Sequence, residues 1–302
     1  MLNRLWRTAW VLLLLPPLFW SGNFVIGRAV RADVPPVALA FWRWAGAFLL
    51  CLPFAWPHLR RDLPVLRRHW VSTLLLSATG VAAFNTMIYT GLQTTTALNA
   101  VLLQSAMPLF ILVWAALLFG QRPGPAELLG ILVSMLGVTV IAGQGSLETL
   151  AGLSLNPGDV WVVGAVAAYA FYSALLRRRP SVHPMSFLAV SFALGALLLV
   201  PFYGAEMAEG RHIVPGVPAL LAILYVALFP SLLAYLAFNR GVDLVGSGRA
   251  GQFVHLMQVF GTFLAVAFLG EHLRPYHAAG IALIAAGLLL ANRPAFLQRR
   301  PA

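Results

Sequence analysis

The chain is short of charged residues, lysine and cysteine. All 20 of its basic residues are arginine, only 9 residues are Asp or Glu, and Cys51 is the single cysteine among 302 residues. One cysteine excludes an internal disulfide bond and a metal site built from several thiolates. Charged side chains make up 10% of the chain, whereas a soluble domain has about 25%. The composition therefore indicates a membrane protein.

Motifs for energy coupling and catalysis are also missing from the sequence. The glycines follow neither the Walker nor the dinucleotide-binding spacing, which argues against an ATP-driven pump. Metal-ligand clusters and a Ser/His/Asp set do not occur, so we expect no catalytic residue, metal or cofactor. The net charge of +11 does not predict a nucleic-acid partner, because the arginines lie between apolar runs rather than on one face.

Ten apolar segments fill most of the chain. A membrane-spanning helix needs about 20 mostly apolar residues. Segments of this kind cover residues 10–27, 37–56, 70–90, 98–119, 126–142, 159–176, 185–203, 217–238, 250–269 and 276–292. The separators between them are short and rich in Pro, Gly and Arg. The sequence thus predicts an all-α integral membrane protein with ten transmembrane helices.

The arginines are distributed unevenly between the predicted loops. With a cytoplasmic N-terminus, fifteen arginines fall on the cytoplasmic side and four fall outside, namely Arg28, Arg31, Arg211 and Arg274. Cytoplasmic loops of membrane proteins carry such an excess of basic residues. We therefore predict a multi-pass protein of the bacterial inner membrane, with both termini cytoplasmic and residues 143–157 in the periplasm.

The sequence also repeats itself with an offset of 150 residues. Paired glycines and prolines carry this repeat, because each fixes a feature of the backbone. The pairs are Gly120 and Gly270, Pro125 and Pro275, Gly130 and Gly280, and Gly137 and Gly287. We therefore expect a first five-helix repeat at residues 1–142, a linker at 143–157 and a second five-helix repeat at 158–302.

Five spans per repeat is an odd number, so the second repeat enters the bilayer inverted relative to the first. Inverted repeats are typical of secondary transporters, whose substrate site lies between the repeats near the middle of the membrane. Gene duplication also produces inverted repeats in some channels, so a channel stays an alternative.

Several short motifs point to a known family. They are Phe19-Trp20-Ser21-Gly22-Asn23-Phe24, Pro36 with Phe41-Trp42-Arg43, the stretch from Ala97 to Pro108, Gly158-Asp159, Ala168-Tyr169-Ala170, and Gly270-Glu271. In their order and spacing, the chain resembles the EamA-type transporters of the drug/metabolite transporter superfamily over nearly its whole length. The resemblance implies a ten-helix carrier that exports small metabolites, and members of similar layout include amino-acid exporters of the YddG type. The usual Gly-Glu pair reads Gly120-Gln121 in the first repeat, so a role for that carboxylate falls to Glu271 alone.

Polar and aromatic side chains recur at helical spacing on several predicted spans. On the ninth span, Gln252, His255, Gln258 and Thr262 form one stripe that lipid would not tolerate, so it lines a transport path or bonds to a neighbouring helix. Tyr89 and Tyr235 lie near helix ends, where tyrosines are often interface anchors. The candidate substrate-binding residues are Trp20, Asn23, Asn85, Tyr89, Gln104, Tyr169, Tyr172, Ser231, Tyr235, Gln252, His255 and Gln258.

Two prolines and one arginine stand out inside the predicted spans. Pro108 and Pro230 each remove a backbone hydrogen bond, which permits a kink or a gate. Arg43 is the only formal charge well inside a span. It either binds a substrate carboxylate, or snorkels or donates to a carbonyl between packed helices, and we favour the second hypothesis. The paired glycines of the fifth and tenth spans predict close helix contacts at the periphery.

We therefore expect a secondary transporter that exports small neutral or zwitterionic metabolites, amino acids first among them, by alternating access. The middle of every span lacks Asp and Glu, which disfavours a permanently cationic substrate. The alternatives are a multidrug, quaternary-ammonium or other metabolite efflux carrier, a channel and an intramembrane enzyme. The expected partners are a small-molecule substrate and the lipid bilayer, with no nucleic acid, and the chain is expected to be a monomer or a homodimer.

Overall fold

The computed structural model describes residues 8–30, 32–269 and 272–297. Every regular element in these ranges is a helix. The helices are α1 (Ala9–Ala29), α2 (Pro36–Arg68), α3 (Trp70–Gly91), α4 (Ala97–Gln104 and Met107–Phe119), α5 (Pro125–Ala142), α6 (Pro157–Leu175), α7 (Pro184–Ala208), α8 (Val217–Val245), α9 (Ser247–Gln252 and Leu256–Leu269) and α10 (Pro275–Leu297), with a short helix, Leu147–Ala151, between α5 and α6.

Eight helices in the described part of the chain, α2 to α8 and α10, are long and apolar enough to cross a membrane. Large apolar side chains such as Leu117, Leu197 and Leu289 are exposed on their outer faces, which suits contact with lipid. The chain is therefore a multi-pass membrane protein. The first predicted span coincides with α1, whose apolar part is the shorter stretch Ala9–Asn23, and the ninth coincides with the interrupted helix α9.

Departures from regular α-helix recur at the spacing of the sequence repeat. Helix α3 contains a π-helical segment at Ser77–Ala83, and α8 contains one at Leu228–Leu233. Helix α4 is interrupted between Gln104 and Met107, and α9 is interrupted by a 3₁₀ turn at Phe253–His255. An offset of 150 residues brings each interruption onto its counterpart. Irregular turns of this kind often mark functional sites.

Two contacts join residues that are themselves 150 positions apart. Ser134 donates to the carbonyl of Ile284 at 3.3 Å, and His255 Nε2 lies 2.8 Å from the carbonyl oxygen of Ser105. A residue meets its own counterpart where two copies face each other across a two-fold axis. Equivalent positions of the two sequence repeats therefore touch at these two contacts.

Helices α5 and α10 pack against each other through the paired glycines. A Cβ atom on Gly130 would lie 2.5 Å from the carbonyl oxygen of Gly287, and one on Gly137 would lie 2.6 Å from that of Gly280. Only glycine permits so close an approach of two backbones. The predicted packing role of these glycines is confirmed.

Helices α2 and α7 cap each other with buried carboxylates. Glu206, near the end of α7, accepts from the backbone N–H of Val37 at 3.1 Å and of Ala38 at 2.7 Å, in the first turn of α2. Asp62, near the end of α2, accepts from the backbone N–H of His183 at 3.0 Å, just before α7. Each acid thus satisfies N–H groups that have no partner within their own helix. At the junction with α7, burial lowers the pKa of the His183 side chain, and the neighbouring His58 lowers that pKa further.

Candidate central site

Arg43 lies at the centre of the helix bundle and is 1% exposed. Its guanidinium group donates only to neutral oxygen atoms in the described part of the chain. The acceptors are Ser231 Oγ at 2.6 Å, Asn85 Oδ1 at 3.0 Å, Asn23 Oδ1 at 3.1 Å, the Pro230 carbonyl at 3.1 Å and Tyr89 Oη at 3.2 Å. Arg43 therefore joins α1 and α3 to α8, and it does not snorkel to the membrane surface.

The π-helical segment of α8 presents two of these acceptors. Pro230 has no N–H group, so the carbonyl of Val226 lacks its usual helical partner. The hydroxyl of Ser231 donates to that carbonyl at 2.7 Å and accepts from Arg43. The carbonyl of Pro230 accepts from Trp20 Nε1 at 3.0 Å as well as from Arg43. The predicted irregularity at Pro230 exists, and the buried carbonyl of Pro230 accepts hydrogen bonds from side chains of two other helices.

Pro108, the other proline singled out from the sequence, lies in α4. It stands in the first turn of Met107–Phe119, directly after the interruption of α4. Proline is favoured there because the N–H groups of a first turn have no helical acceptor. Pro108 therefore begins a new helical segment, whereas the sequence placed it inside a continuous span. Gating by either proline stays a prediction.

Tyr89 and Tyr235 are buried inside the bundle, at 7% and 1% exposure. Tyr89 donates to Asn23 Oδ1 at 3.0 Å. Tyr235 donates to the carbonyl of Gly80, in the π-helical segment of α3. The interpretation of these two tyrosines as interface anchors is therefore wrong, because both hydroxyls donate to buried groups inside the bundle.

A small cavity of about 20 Å³ lies beside Arg43. The hydroxyl of Tyr169 is buried in its wall and has no hydrogen-bond partner among the residues described. Aromatic rings surround it, with Trp20 and Phe84 centred 5.7 Å and 4.7 Å from the ring of Tyr169. The predicted residues that line this cavity are Trp20, Asn23, Asn85, Gln104, Tyr169 and Tyr235. Space of this size holds about one water molecule.

A second cavity, of about 160 Å³, adjoins the first between α1, α4, α5 and α9. Gln104, Val254 and Met257 line both cavities. His255 and Gln258 line the larger one, and the Nδ1 atom of His255 is buried without a partner in the described ranges. Two of the four polar residues of the predicted stripe on the ninth span, His255 and Gln258, therefore do face a cavity.

Four predicted site residues line neither of these cavities: Tyr89 and Ser231, which bond to Arg43, and Tyr172 and Gln252. Tyr172 donates to Asn239 Oδ1 at 2.7 Å, and its ring packs against Gly80. Gln252 faces Asn292 of α10, whose side-chain nitrogen lies 3.5 Å from its Oε1 atom. Gln252 therefore meets α10, whereas His255 meets the carbonyl of Ser105 in α4, so the predicted stripe is divided between two neighbours. Glu271 lies outside the described residues.

A third and larger cavity, of about 710 Å³, opens at the end of the bundle that carries residues 176–182. Its wall contains five arginines and two carboxylates, with Arg179 and Asp243 paired at 2.7 Å. We call it the arginine vestibule. The arginines in its wall are Arg122, Arg177, Arg179, Arg240 and Arg249, and the carboxylates are Glu127 and Asp243. A concave surface with this excess of positive charge attracts anions.

Arg43 is the central residue that sequence reasoning did not include among the candidates. Its signal was present, since it is the only charge deep in a predicted span. Periodicity showed that Asn23, Asn85 and Ser231 each face the protein interior, but it did not show that all three bond to one guanidinium group.

Comparisons with known proteins identify the family and the fold of the chain. The chain is 26% identical over 288 residues to the uncharacterized transporter YyaM of Bacillus subtilis, covering 94% of this chain and 93% of that one. It is 29% identical over 287 residues to a probable terminal-alkyne amino-acid exporter of Streptantibioticus cattleyicolor, covering 93% and 89%. A solved crystal structure shares the fold, with a TM-score of 0.79, 21% identity and coverage of 97% and 99%. The model of the EamA-like transporter family matches residues 7–143 and again 156–293. The chain belongs to the EamA-like transporter family.

Proposed function

We propose that the protein is a secondary transporter that exports small neutral or zwitterionic metabolites, amino acids first among them. It has ten transmembrane helices in two inverted repeats, residues 1–142 and 158–302, joined by a periplasmic linker at 143–157. It lies in the bacterial inner membrane with both termini in the cytoplasm. Rocking of the repeats about the Arg43 centre exposes the site to each side of the membrane in turn.

The observation that carries this proposal is the polar centre, which is Arg43 with the five oxygen atoms that accept its hydrogen bonds. Arg43 of the first repeat donates to Ser231 and Pro230 of the second, so the two halves meet at a buried polar site. Secondary transporters with inverted repeats place their site at such a junction and build it from interrupted helices. The matched interruptions of α3 and α8, and of α4 and α9, support the same arrangement. So does the family model, which matches the chain twice.

The cavity walls favour a polar, uncharged or zwitterionic substrate. They combine amides, aromatic hydroxyls and rings, which hydrogen-bond to polar groups and pack against apolar side chains. The relative from Streptantibioticus cattleyicolor is described as an exporter of an amino acid. A quaternary-ammonium substrate is disfavoured because Arg43 would repel it, although the rings alone would attract a cation.

Counterflow in proteoliposomes tests the proposal. Vesicles loaded with unlabelled leucine, phenylalanine or threonine should accumulate the labelled amino acid transiently, and initial uptake should saturate with concentration. Gln104→Ala should reduce the rate, because Gln104 lines both cavities, whereas Gln93→Ala, at an exposed position, should not. Flux without saturation or counterflow would indicate a channel, and transport of quaternary amines in place of amino acids would overturn the substrate class.

A further inference from the structure

We propose that Arg43 binds the carboxylate group of the substrate, and that the site selects this group rather than an amine. The inference rests on the proposed central substrate site and specifies which chemical group the site recognises. It follows from the charge of Arg43, from its hydrogen bonds, and from the cavities beside it.

The positive charge of Arg43 has no counter-ion in the described part of the chain. Carboxylate oxygens within 4.0 Å of basic nitrogens occur there at Asp62, Glu206, Glu209 and Asp243, and none of these acids pairs with Arg43. An unpaired buried charge inside a membrane is costly and usually has a functional partner. A ligand carboxylate supplies the missing negative charge at this position.

The hydrogen bonds of Arg43 leave donor capacity for such a ligand. A guanidinium group has five N–H donors. Nη1 lies near three acceptors for its two hydrogens, whereas Nη2 has one acceptor, Pro230, for its two. Ser231 has a second bond, to Val226, and Asn23 has one from Tyr89, so both keep a partner when a ligand displaces them from Arg43. Arginine is the side chain best suited to grip a carboxylate with two parallel bonds.

The two adjoining cavities provide separate places for the two parts of such a ligand. The 20 Å³ cavity beside Arg43 admits a group the size of one water molecule, so it must widen to take a carboxylate. The 160 Å³ cavity has a mainly apolar wall, including Val101, Val138 and Met257. With Gln104 between the two, a carboxylate at Arg43 leaves the apolar part of the ligand in the larger space.

Groups that would recognise an ammonium are weaker at this site. The cavity walls contain rings and amides but no carboxylate among the described residues. Attraction to a ring stabilises a cation less than a buried carboxylate does. The arginine vestibule also favours anions over cations, since its five arginines concentrate anions at one end of the bundle. The amine is therefore dispensable for binding, and the carboxylate is required.

Matched ligand analogues test this with the purified full-length chain in detergent. 4-Methylpentanoate has the carboxylate of leucine without its amine, and leucinamide has the amine without the carboxylate. We expect leucine and 4-methylpentanoate to raise the melting temperature of the protein by about 2 °C or more. Samples with the same concentration of added chloride salt serve as the controls. Leucinamide should be at least about tenfold weaker. Phenylalanine, 3-phenylpropanoate and phenylalaninamide form a second set for a larger side chain.

Substitutions at Arg43 identify the group responsible. Arg43→Gln should abolish the shift caused by 4-methylpentanoate, and Arg43→Lys should weaken it, because lysine lacks the planar fork. Arg61→Gln is the matched control, since the Arg61 side chain is 73% exposed and remote from the cavities. If Arg43→Gln fails to fold, the comparison of analogues on the unaltered protein still decides the question.

The outcomes separate this inference from the proposed function. Equal effects of leucinamide and 4-methylpentanoate, or no effect of any carboxylate, would overturn the inference even if amino acids were transported. A carboxylate-specific shift that requires Arg43, together with an absence of amino-acid counterflow, would support the inference and refute amino-acid export.

Discussion

The Nε atom of Arg43 donates to the hydroxyl of Ser231 at 2.6 Å, and this bond joins the two halves of the chain. Both side chains are fully buried, and Ser231 also donates to the carbonyl left free by Pro230. One hydroxyl thus satisfies a charged donor from α2 and a free backbone acceptor of α8. The polar centre therefore depends on the helical irregularity at Pro230 as much as on Arg43.

Replacing Ser231 by alanine should destabilise the protein by about 1–2 kcal/mol, because a buried charged donor and a buried carbonyl each lose a partner. Thermal unfolding in detergent measures this. Ser191→Ala is the matched control, since the Ser191 hydroxyl is buried without a partner in the part of the chain the structure describes. Equal losses for the two variants would contradict the bridging role of Ser231.

The contact between α5 and α10 predicts a strong response to one added methyl group. A Cβ atom at Gly137 would lie 2.6 Å from the carbonyl oxygen of Gly280, so Gly137→Ala should force the helices apart and cost about 1–3 kcal/mol. Gly204→Ala, in α7, meets nothing within 4 Å and should be neutral or slightly stabilising. Melting temperatures in the opposite order would show that α5 and α10 do not pack through these glycines.

The caps between α2 and α7 predict a difference between two glutamates only three residues apart. Glu206→Ala removes the acceptor of two N–H groups at the start of α2 and should cost about 1 kcal/mol or more. Glu209 is exposed and pairs with the exposed Arg211, so Glu209→Ala should change the unfolding free energy little. The same melting assay compares them, and an unchanged melting temperature for Glu206→Ala would argue against the cap.

The helices could be predicted from the sequence because long apolar runs determine where helices form, and paired glycines determine where two helices pack closely. The contact of Gly130 with Gly287 is an example, since close backbone packing requires a missing side chain. The division of Gln252 from His255 could not be predicted, because helical spacing shows which side chains share a face but not which neighbouring helix each of them meets.

The site itself could be predicted only in part. Asn23, Asn85 and Ser231 were identified as inward-facing polar residues, and the structure brings them together around Arg43. That convergence depends on the packing of four helices, which no local pattern encodes. Tyr89 was misjudged because position near the end of a span does not tell whether a tyrosine points to the membrane surface or to the bundle.

The proposed orientation in the membrane rests on the arginine distribution and predicts a labelling pattern. In a Cys51→Ala background, Ser146→Cys should react with an impermeant thiol reagent applied to intact cells, because residues 143–157 are expected outside. Ser181→Cys, in the wall of the arginine vestibule, should react only after the membrane is opened. Labelling of Ser181→Cys and protection of Ser146→Cys in intact cells would reverse the orientation.

Alternating access to the central cavities is the central claim, and accessibility of Gln104 measures it most directly. Gln104 lines both cavities and is 6% exposed. In the Cys51→Ala background, Gln104→Cys should react slowly with an impermeant thiol reagent from either side of the membrane. A transported amino acid should slow the reaction from both sides. Reaction from one side only under every condition, or no protection by substrate, would contradict a carrier whose two halves open alternately around this site.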